Sequence, residues 1–413
     1  MRRKIREVFK GQWLAKKRME RVGKGEDFGH TSLLMSVGHP VYLDCNATTP
    51  LEPAVGELIR HYFEEEYGNE GSRTHGYGGR AKKAVQKARE QIAKLVDSKP
   101  EEVIFTSGAT ESNNLAILGL AQWGRRHGKT HIISTHLEHK AVLEPIDFLA
   151  KDGFEVDLVA PGKSGRVDAA KILQLLRPTT LLVSLMHANN ETGVIQPIEE
   201  VAKGLAHHSA YFHVDAAQTF GKLVEPLRNH RIDLLSASGH KIFGPKGVGV
   251  LIVRHRGKQK VPLAPLVYGG GQEHGLRPGT LPVPLIAGFG LAAEMGGTGH
   301  EVRQVACSSF RERFLRAIEP LHPKIHGEEG QVLSHTVNVS FPGMSAEEGM
   351  VKIRDLVAVS NGSACTSSSY QPSHVLKSMG LAKDEIIGAM RFSWCHLTPD
   401  PDWAAVLEKL RGK

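Results

Sequence analysis

Asp233-Leu234-Leu235-Ser236-Ala237-Ser238-Gly239-His240-Lys241-Ile242-Phe243-Gly244-Pro245 is the stretch on which the rest of the chain is read. Leu234-Leu235 is a short apolar run and predicts a strand. Small residues follow, then His240 and Lys241, then a Gly-Pro stop. Gly247-Val248-Gly249-Val250-Leu251-Ile252-Val253 predicts the next strand. Lys241 therefore sits at the end of a buried strand, in a tight turn and not on a helix face. Lysine is seldom buried without a partner. At this place it is either a surface charge or a nucleophilic amine held in a pocket. A buried lysine beside another cationic group has a lowered pKa and forms Schiff bases with carbonyls. The stretch alone leaves both readings open.

Outward from it, apolar strands alternate with helices. Val41-Tyr42-Leu43-Asp44 predicts a short strand, closed by Asn46-Ala47-Thr48-Thr49-Pro50. Helices are expected over Val55–Glu66 and, after the turn Gly68-Asn69-Glu70-Gly71-Ser72, from about Gly79 to Val96. Strands are expected at 103–106, 131–134, 181–186 and 211–214, with helices at 111–123, 140–151 and 198–208 between them. Such alternation implies an α/β fold with a mostly parallel sheet covered on both faces. Ligands bind at the carboxyl ends of such strands. The notable polar residues fall there: after Phe105, after Ser134, after Met186, at Asp215, and from Ser238 to Lys241.

The totals set bounds. A chain of 413 residues suits two domains sharing a cleft. Residues 51–296 are expected to form a large domain, and 41–50 with 297–413 a smaller α+β one. Gly296-Gly297-Thr298-Gly299 marks the boundary, followed by a helix over Arg303–Ile318 and strands at 336–340 and 356–359. The net charge is +8, but the first forty residues hold ten Lys or Arg against four Asp or Glu, so the body is nearly neutral. Residues 1–40 are a basic extension in which Ile5, Val8, Phe9 and Trp13 fall at roughly helical spacing. Direct nucleic-acid binding is not expected from that patch alone. Cys45, Cys307, Cys365 and Cys395 show neither a CxxC pair nor zinc spacing, so reduced thiols, a cytoplasmic setting and no metal are expected. No apolar run has membrane-spanning length, and the first residues lack the apolar core of a secretory signal.

Three pieces carry chemistry. Ser107-Gly108-Ala109-Thr110-Glu111 joins a strand to a helix, where free N–H groups and the Thr110 hydroxyl would cradle a phosphate; a plain N-cap is the simpler alternative. Asp215 ends a strand and needs a cationic partner. A protonated pyridine nitrogen would serve, as would a structural ion pair. An amine for an aldehyde, a carboxylate for a ring nitrogen and a phosphate anchor are together what pyridoxal 5'-phosphate requires. Its protonated ring is an electron sink for a carbanion at the substrate α-carbon.

From about Val41 to Trp394 the chain resembles the cysteine desulfurases, in the class V branch of the fold-type-I pyridoxal-phosphate enzymes. The resemblance rests on several motifs together. They are Leu-Asp-Cys-Asn-Ala-Thr-Thr-Pro, Ser-Gly-Ala-Thr-Glu-Ser-Asn-Asn, Glu-His-Lys-Ala-Val, Ala-Asn-Asn-Glu-Thr-Gly, Asp-Ala-Ala-Gln, Gly-His-Lys, Gly-Gly-Gly-Gln-Glu, Arg-Pro-Gly-Thr and Gly-Ser-Ala-Cys-Thr-Ser. It implies roles by position. Lys241 matches the Schiff-base lysine, and His139 the histidine that stacks on the ring and moves protons. Asp215 would meet the pyridine nitrogen, Gln218 the ring oxygen, and Asn190 the ring oxygen or the substrate. Ala109, Thr110, Ser238 and His240 would hold the phosphate. Thr280 looks like the residue that reaches the phosphate of a neighbouring subunit, which implies a homodimer. Arg391 matches the arginine that grips the substrate carboxylate, a task that suits a bidentate guanidinium.

Cys365 lies in Asn361-Gly362-Ser363-Ala364-Cys365-Thr366-Ser367-Ser368-Ser369, whose small polar residues favour an exposed loop. A nucleophile that receives sulfur from L-cysteine as a persulfide and passes it to an acceptor protein, a scaffold or carrier, fits that setting. The extended segment after Cys365 is similar to the long-loop desulfurases that supply iron–sulfur assembly and tRNA thiolation. Cys45-Asn46 is similar to desulfurases of DNA phosphorothioation and to some selenocysteine lyases. Cys395 stands where relatives have glycine, close to Arg391. The alternatives are a selenocysteine lyase, a plain aminotransferase, and a non-catalytic sulfur-carrier scaffold.

Overall fold

The computed structural model describes residues 39–361 and 372–412. Nearly all of the basic extension 1–40, and residues 362–371 with Cys365 among them, lie outside the described residues. β1 (Val41–Tyr42) opens the described chain. Seven strands then form one sheet: β2 (Val103–Thr106), β3 (His131–Thr135), β4 (Glu155–Val159), β5 (Thr180–Met186), β6 (Tyr211–Asp215), β7 (Leu234–Ser238) and β8 (Gly249–Val253), in the order β2-β8-β7-β6-β5-β3-β4. Only β8 runs against its neighbours. Six of these strands are buried along their whole length, which is why they read as apolar runs without polar alternation.

Adjacent strand residues feed opposite faces. Phe105, Ile133, Val183, Phe212, Leu235 and Ile252 join an apolar core packed by the helices Pro53–Glu64, Gly76–Leu95 and Val283–Ile318. Ile104, Ile132, Leu182, Tyr211, Leu234 and Leu251 join a second core packed by the helices Ala109–Arg126 and Lys140–Lys151. The period of two along each strand thus becomes two buried layers.

A second, smaller sheet has the order β12-β10-β9, from β9 (Lys324–His326), β10 (Thr336–Ser340) and β12 (Ala389–Ser393), all antiparallel. β11 (Val357–Ala358) pairs in parallel with β1. Phe310, Phe314, Val337, Val339, Phe392 and Trp394 make its separate apolar core.

The expected start of one helix, at Arg303, is corrected. Gly296-Gly297-Thr298-Gly299 does not interrupt the chain, because a single helix runs from Val283 to Ile318. Its glycines are points of close approach. A Cβ on Gly290 would lie 2.5 Å from Ala88 Cα, and one on Gly296 would lie 2.9 Å from the Gly221 carbonyl. No helix among the described residues is long and apolar enough to cross a membrane.

Several histidines are buried as neutral rings. His213 bonds Ser184 and Ser236 hydroxyls at 2.8 and 3.0 Å, His187 the Thr219 hydroxyl at 2.9 Å, and His326 the Ser340 hydroxyl at 3.0 Å. Burial holds His187 down at about 3 and His213 and His326 at about 4. The unfolded chain takes up these protons below about 6.5, so the stability they contribute is present above that pH and is lost as pH falls toward about 4. Glu138, pushed up to about 8 by burial, and Glu191, also raised by burial, work in the opposite direction, but the histidines lowered by burial, which include His240 and His335, outnumber them. The urea midpoint is therefore expected to fall steadily between about pH 6.5 and about pH 4.5. A level or rising midpoint across that interval contradicts neutral burial of these rings.

Candidate active site

The carboxyl ends of the parallel strands open into one cavity of about 640 Å³. Ala109 and Thr110 come from beyond β2, His139 from beyond β3, and Asn190 from beyond β5. Asp215 closes β6 with Gln218 just after it, and Ser238 closes β7. His240 and Lys241 fall in a single 3-10 turn, Gly239–Lys241. Arg391 reaches the same cavity from β12 of the smaller sheet. Ten residues expected at a site are therefore brought together by the fold.

One end of the cavity is built for an anion. The helix Ala109–Arg126 begins there, and the first N–H groups of a helix have no intrahelical acceptor. Thr106 and Ser112 hydroxyls, 2.8 Å apart, both reach the Gly108 carbonyl and hold the turn. β8 passes close behind: a Cβ on Gly249 would lie 2.4 Å from Gly108 Cα, so only glycine fits there. The Ser238 and Thr110 side chains line the same wall. His240 bonds the Thr48 hydroxyl at 3.1 Å. Burial, then the neighbouring Lys241 and Lys246 charges, bring its pKa down to about 4. That cationic surrounding favours a bound phosphate.

The other end holds the amine and the acids. Lys241 Nζ donates to the Asn46 carbonyl and, at 2.9 Å, to the Ala47 carbonyl. Asp215 accepts from Asn113 Nδ2 at 2.8 Å and from the Ala217 N–H at 2.9 Å. Gln218 Nε2 donates to the Asn46 carbonyl at 3.1 Å, whereas its Oε1 is buried with no partner among the described residues. His139 Nδ1 accepts the Ala141 N–H at 3.0 Å, which leaves Nε2 to carry the proton of the neutral ring. Burial lowers the His139 pKa; Asp215 opposes this and Lys241 and His374 add to it. Arg391 donates to Asp44 Oδ1 at 2.6 Å and to the Asn190 carbonyl at 3.0 Å.

One expected residue is not among the lining residues of this cavity. Thr280 lines a separate groove of about 620 Å³ with Arg73, Gly271 and Gln272. Cys365 lies outside the described residues. The other cysteines, Cys45, Cys307 and Cys395, are buried and unpaired by disulfides, and the Cys45 thiol bonds the Cys395 sulfur, which lowers the Cys395 pKa. Sequence reasoning assigned no role to Asp44, Asn46–Thr48, Asn113 or Lys246, although all but Asp44 line the cavity. Asp44, Asn46, Ala47 and Thr48 stood within a quoted motif, and Asn113 within another. What gave no signal was the partner of each.

The donor set fits pyridoxal 5'-phosphate. A lysine amine, a buried carboxylate, an unsatisfied amide oxygen and a helix N-terminus with a hydroxyl and an imidazole all face one space. These match an aldehyde, a ring nitrogen, a ring hydroxyl and a phosphate.

The aminotransferase class-V family model matches residues 41–402. The cysteine desulfurase IscS of Anaeromyxobacter dehalogenans (strain 2CP-C) is 44% identical over 355 residues, covering 86% of this chain and 87% of that protein. The crystal structure of DndA from Streptomyces lividans is similar at 48% identity and a TM-score of 0.76, over 84% of this chain and 98% of that one. A structure of SspA in complex with cysteine is similar at 38% identity and a TM-score of 0.76, over 86% and 98% of the two chains.

Proposed function

The chain belongs to the aminotransferase class-V family, and from that premise we propose that it is a pyridoxal-phosphate-dependent cysteine desulfurase that converts L-cysteine to L-alanine. The observation that carries this is the convergence of Lys241, Asp215, His139 and Arg391 on one cavity with an anion-binding wall. Ala109, Thr110, Ser238 and His240 would hold the cofactor phosphate. Asp215, oriented by Asn113, would take the ring nitrogen, and Gln218 with Asn190 the ring oxygen. Once bound, the cofactor supplies an electron sink for a carbanion at the substrate α-carbon.

The chain's own groups do the rest. Arg391 binds the substrate carboxylate. Lys241 Nζ takes the α-proton. The Cys365 thiolate attacks the substrate sulfur; a sulfur–sulfur bond forms, the carbon–sulfur bond breaks with its electron pair left on the β-carbon, and protonation there, with return of the α-proton from Lys241 to the α-carbon, yields alanine. Cys365 is left as a persulfide. The neutral His139 ring is available to hold the proton released by the thiol.

The same proposal includes a homodimer. It is supported by the exposed apolar residues Val267 and Tyr268, 58% and 84% exposed, and by the Thr280 groove. A second copy covering that face would bring Thr280 to the partner's phosphate. The division into a larger body over 51–296 and a smaller one from 41–50 plus 297–413 is also proposed, and the separate apolar core of the small sheet supports it. The acceptor is a scaffold or carrier protein in the cytoplasm, serving iron–sulfur assembly, tRNA thiolation or DNA phosphorothioation.

The test is turnover by the protein loaded with pyridoxal phosphate, given L-cysteine and a thiol reductant. Sulfide and alanine are expected in equal amounts. A loaded protein that releases neither contradicts the proposal, and release of selenide from selenocysteine alone would make it a lyase.

A further inference from the structure

We propose that Asp44 is a positioning residue that pre-orients Arg391 and, by sharing its guanidinium, sets how tightly the site grips the α-carboxylate of substrate and product. This rests on the desulfurase reading above. The Arg391 side chain is only 3% exposed and is held from several directions. Its Nη2 donates to Asp44 Oδ1 at 2.6 Å and its Nη1 to the Asn190 carbonyl at 3.0 Å, whereas Nε is buried with no partner among the described residues. Its backbone N–H and carbonyl both bond Ser360, and on the other side of β12 it lies opposite Asn338 of β10.

Asp44 is equally well placed. It forms a parallel bridge to Ser393, with the Ser393 N–H on the Leu43 carbonyl and the Cys45 N–H on the Ser393 carbonyl. The Tyr42 hydroxyl bonds the Asp44 carbonyl at 3.0 Å. One other buried carboxylate lies in the field of Arg391, that of Glu191, but its Oε2 accepts the Ser373 hydroxyl at 2.5 Å. Among the described residues, Asp44 is the carboxylate in direct contact with the guanidinium.

Two consequences follow from the chemistry. A charge-assisted bond fixes the plane of the fork before any ligand arrives, which lowers the cost of docking a carboxylate. A ligand carboxylate then places a second anion on one cation, and the two anions repel. Cysteine and alanine carry the same carboxylate. Asp44 therefore loosens both and speeds departure of the product.

The experiment uses the holoenzyme and two probes, L-alanine and cysteamine, the latter lacking the carboxylate. Asp44→Asn keeps an acceptor oxygen and the side-chain size but removes the charge. L-alanine is expected to bind about tenfold more tightly to the variant, because the like-charge contact is gone. The KM for L-cysteine falls, kcat falls with slower alanine release, and cysteamine affinity stays level. Asp44→Ala, which also loses the acceptor, is expected to bind alanine more weakly than Asp44→Asn. Unchanged or weaker alanine binding in Asp44→Asn overturns the proposal, as does an equal shift for both probes, the mark of a merely structural role. If Asp44→Asn yields no folded holoenzyme, Asp44→Ser carries the same comparison. The alanine titration needs no turnover, so a wild type that releases no sulfide would remove the desulfurase reading while the two-probe comparison still reports on Asp44.

Discussion

Replacing Lys241 by alanine is expected to lower turnover of L-cysteine by roughly 10⁴-fold or more and to abolish the visible absorbance of the lysine-bound cofactor in the same variant. Lys241 stands at the end of β7, where a single 3-10 turn points it into the cavity. Its amine is held by the Asn46 and Ala47 carbonyls, which come from the segment that also bonds Gln218 and His240. A second lysine, Lys246, lines the same cavity but is exposed. Absorbance that survives in Lys241→Ala would move the amine to Lys246. The substitution leaves two carbonyls without their donor, a cost of about 1–3 kcal/mol, so circular dichroism is expected to show an intact fold. Loss of activity together with loss of fold would not support the assignment, and Lys241→Arg, which keeps a cation on those carbonyls, is then the variant to measure.

Cys365→Ser is expected to cut sulfide and alanine release by at least about 10³-fold while the cofactor absorbance, and its change on adding L-cysteine, persist. A hydroxyl is not deprotonated at neutral pH and does not take up sulfur as a thiolate does. The described residues on either side of 362–371 bond to residues of the site. Ser360 pairs with Arg391 through the backbone. Ser373 bonds buried Glu191 at 2.5 Å, and His374 bonds the Glu138 carbonyl at 3.0 Å, next to His139. Equal activity in wild type and variant would remove the persulfide step and favour a lyase.

Much of this was legible from the chain alone. The helix Lys140–Lys151 and the strands at 103–106 and 336–340 are as expected, because their apolar runs are bounded by strong stop signals. Asp215 and Lys241 stood out as charged residues at strand ends, where burial demands a partner. The glycine run at 296–299 hid the first part of the helix that passes through it. A glycine that lets two segments approach and a glycine that ends a helix look the same in a sequence, and only the neighbours of Gly296 distinguish them. The roles of Asn113 and Asp44 were hidden for a related reason, since each acts on a residue far along the chain.

The sequence by itself determined the alternation of strands and helices, the two-faced burial of the sheet, and the chemical kit of an amine, a carboxylate, an imidazole, a guanidinium and a thiol. These follow from local periodicity and residue type, which a stretch of ten residues already contains. The tertiary structure decided which groups meet. Asn113 and Asp215 are 102 residues apart, Asn46 and Lys241 are 195 apart, and Asp44 and Arg391 are 347 apart. Such pairs form only when distant segments pack on a shared sheet edge, and that packing is a property of the whole folded chain.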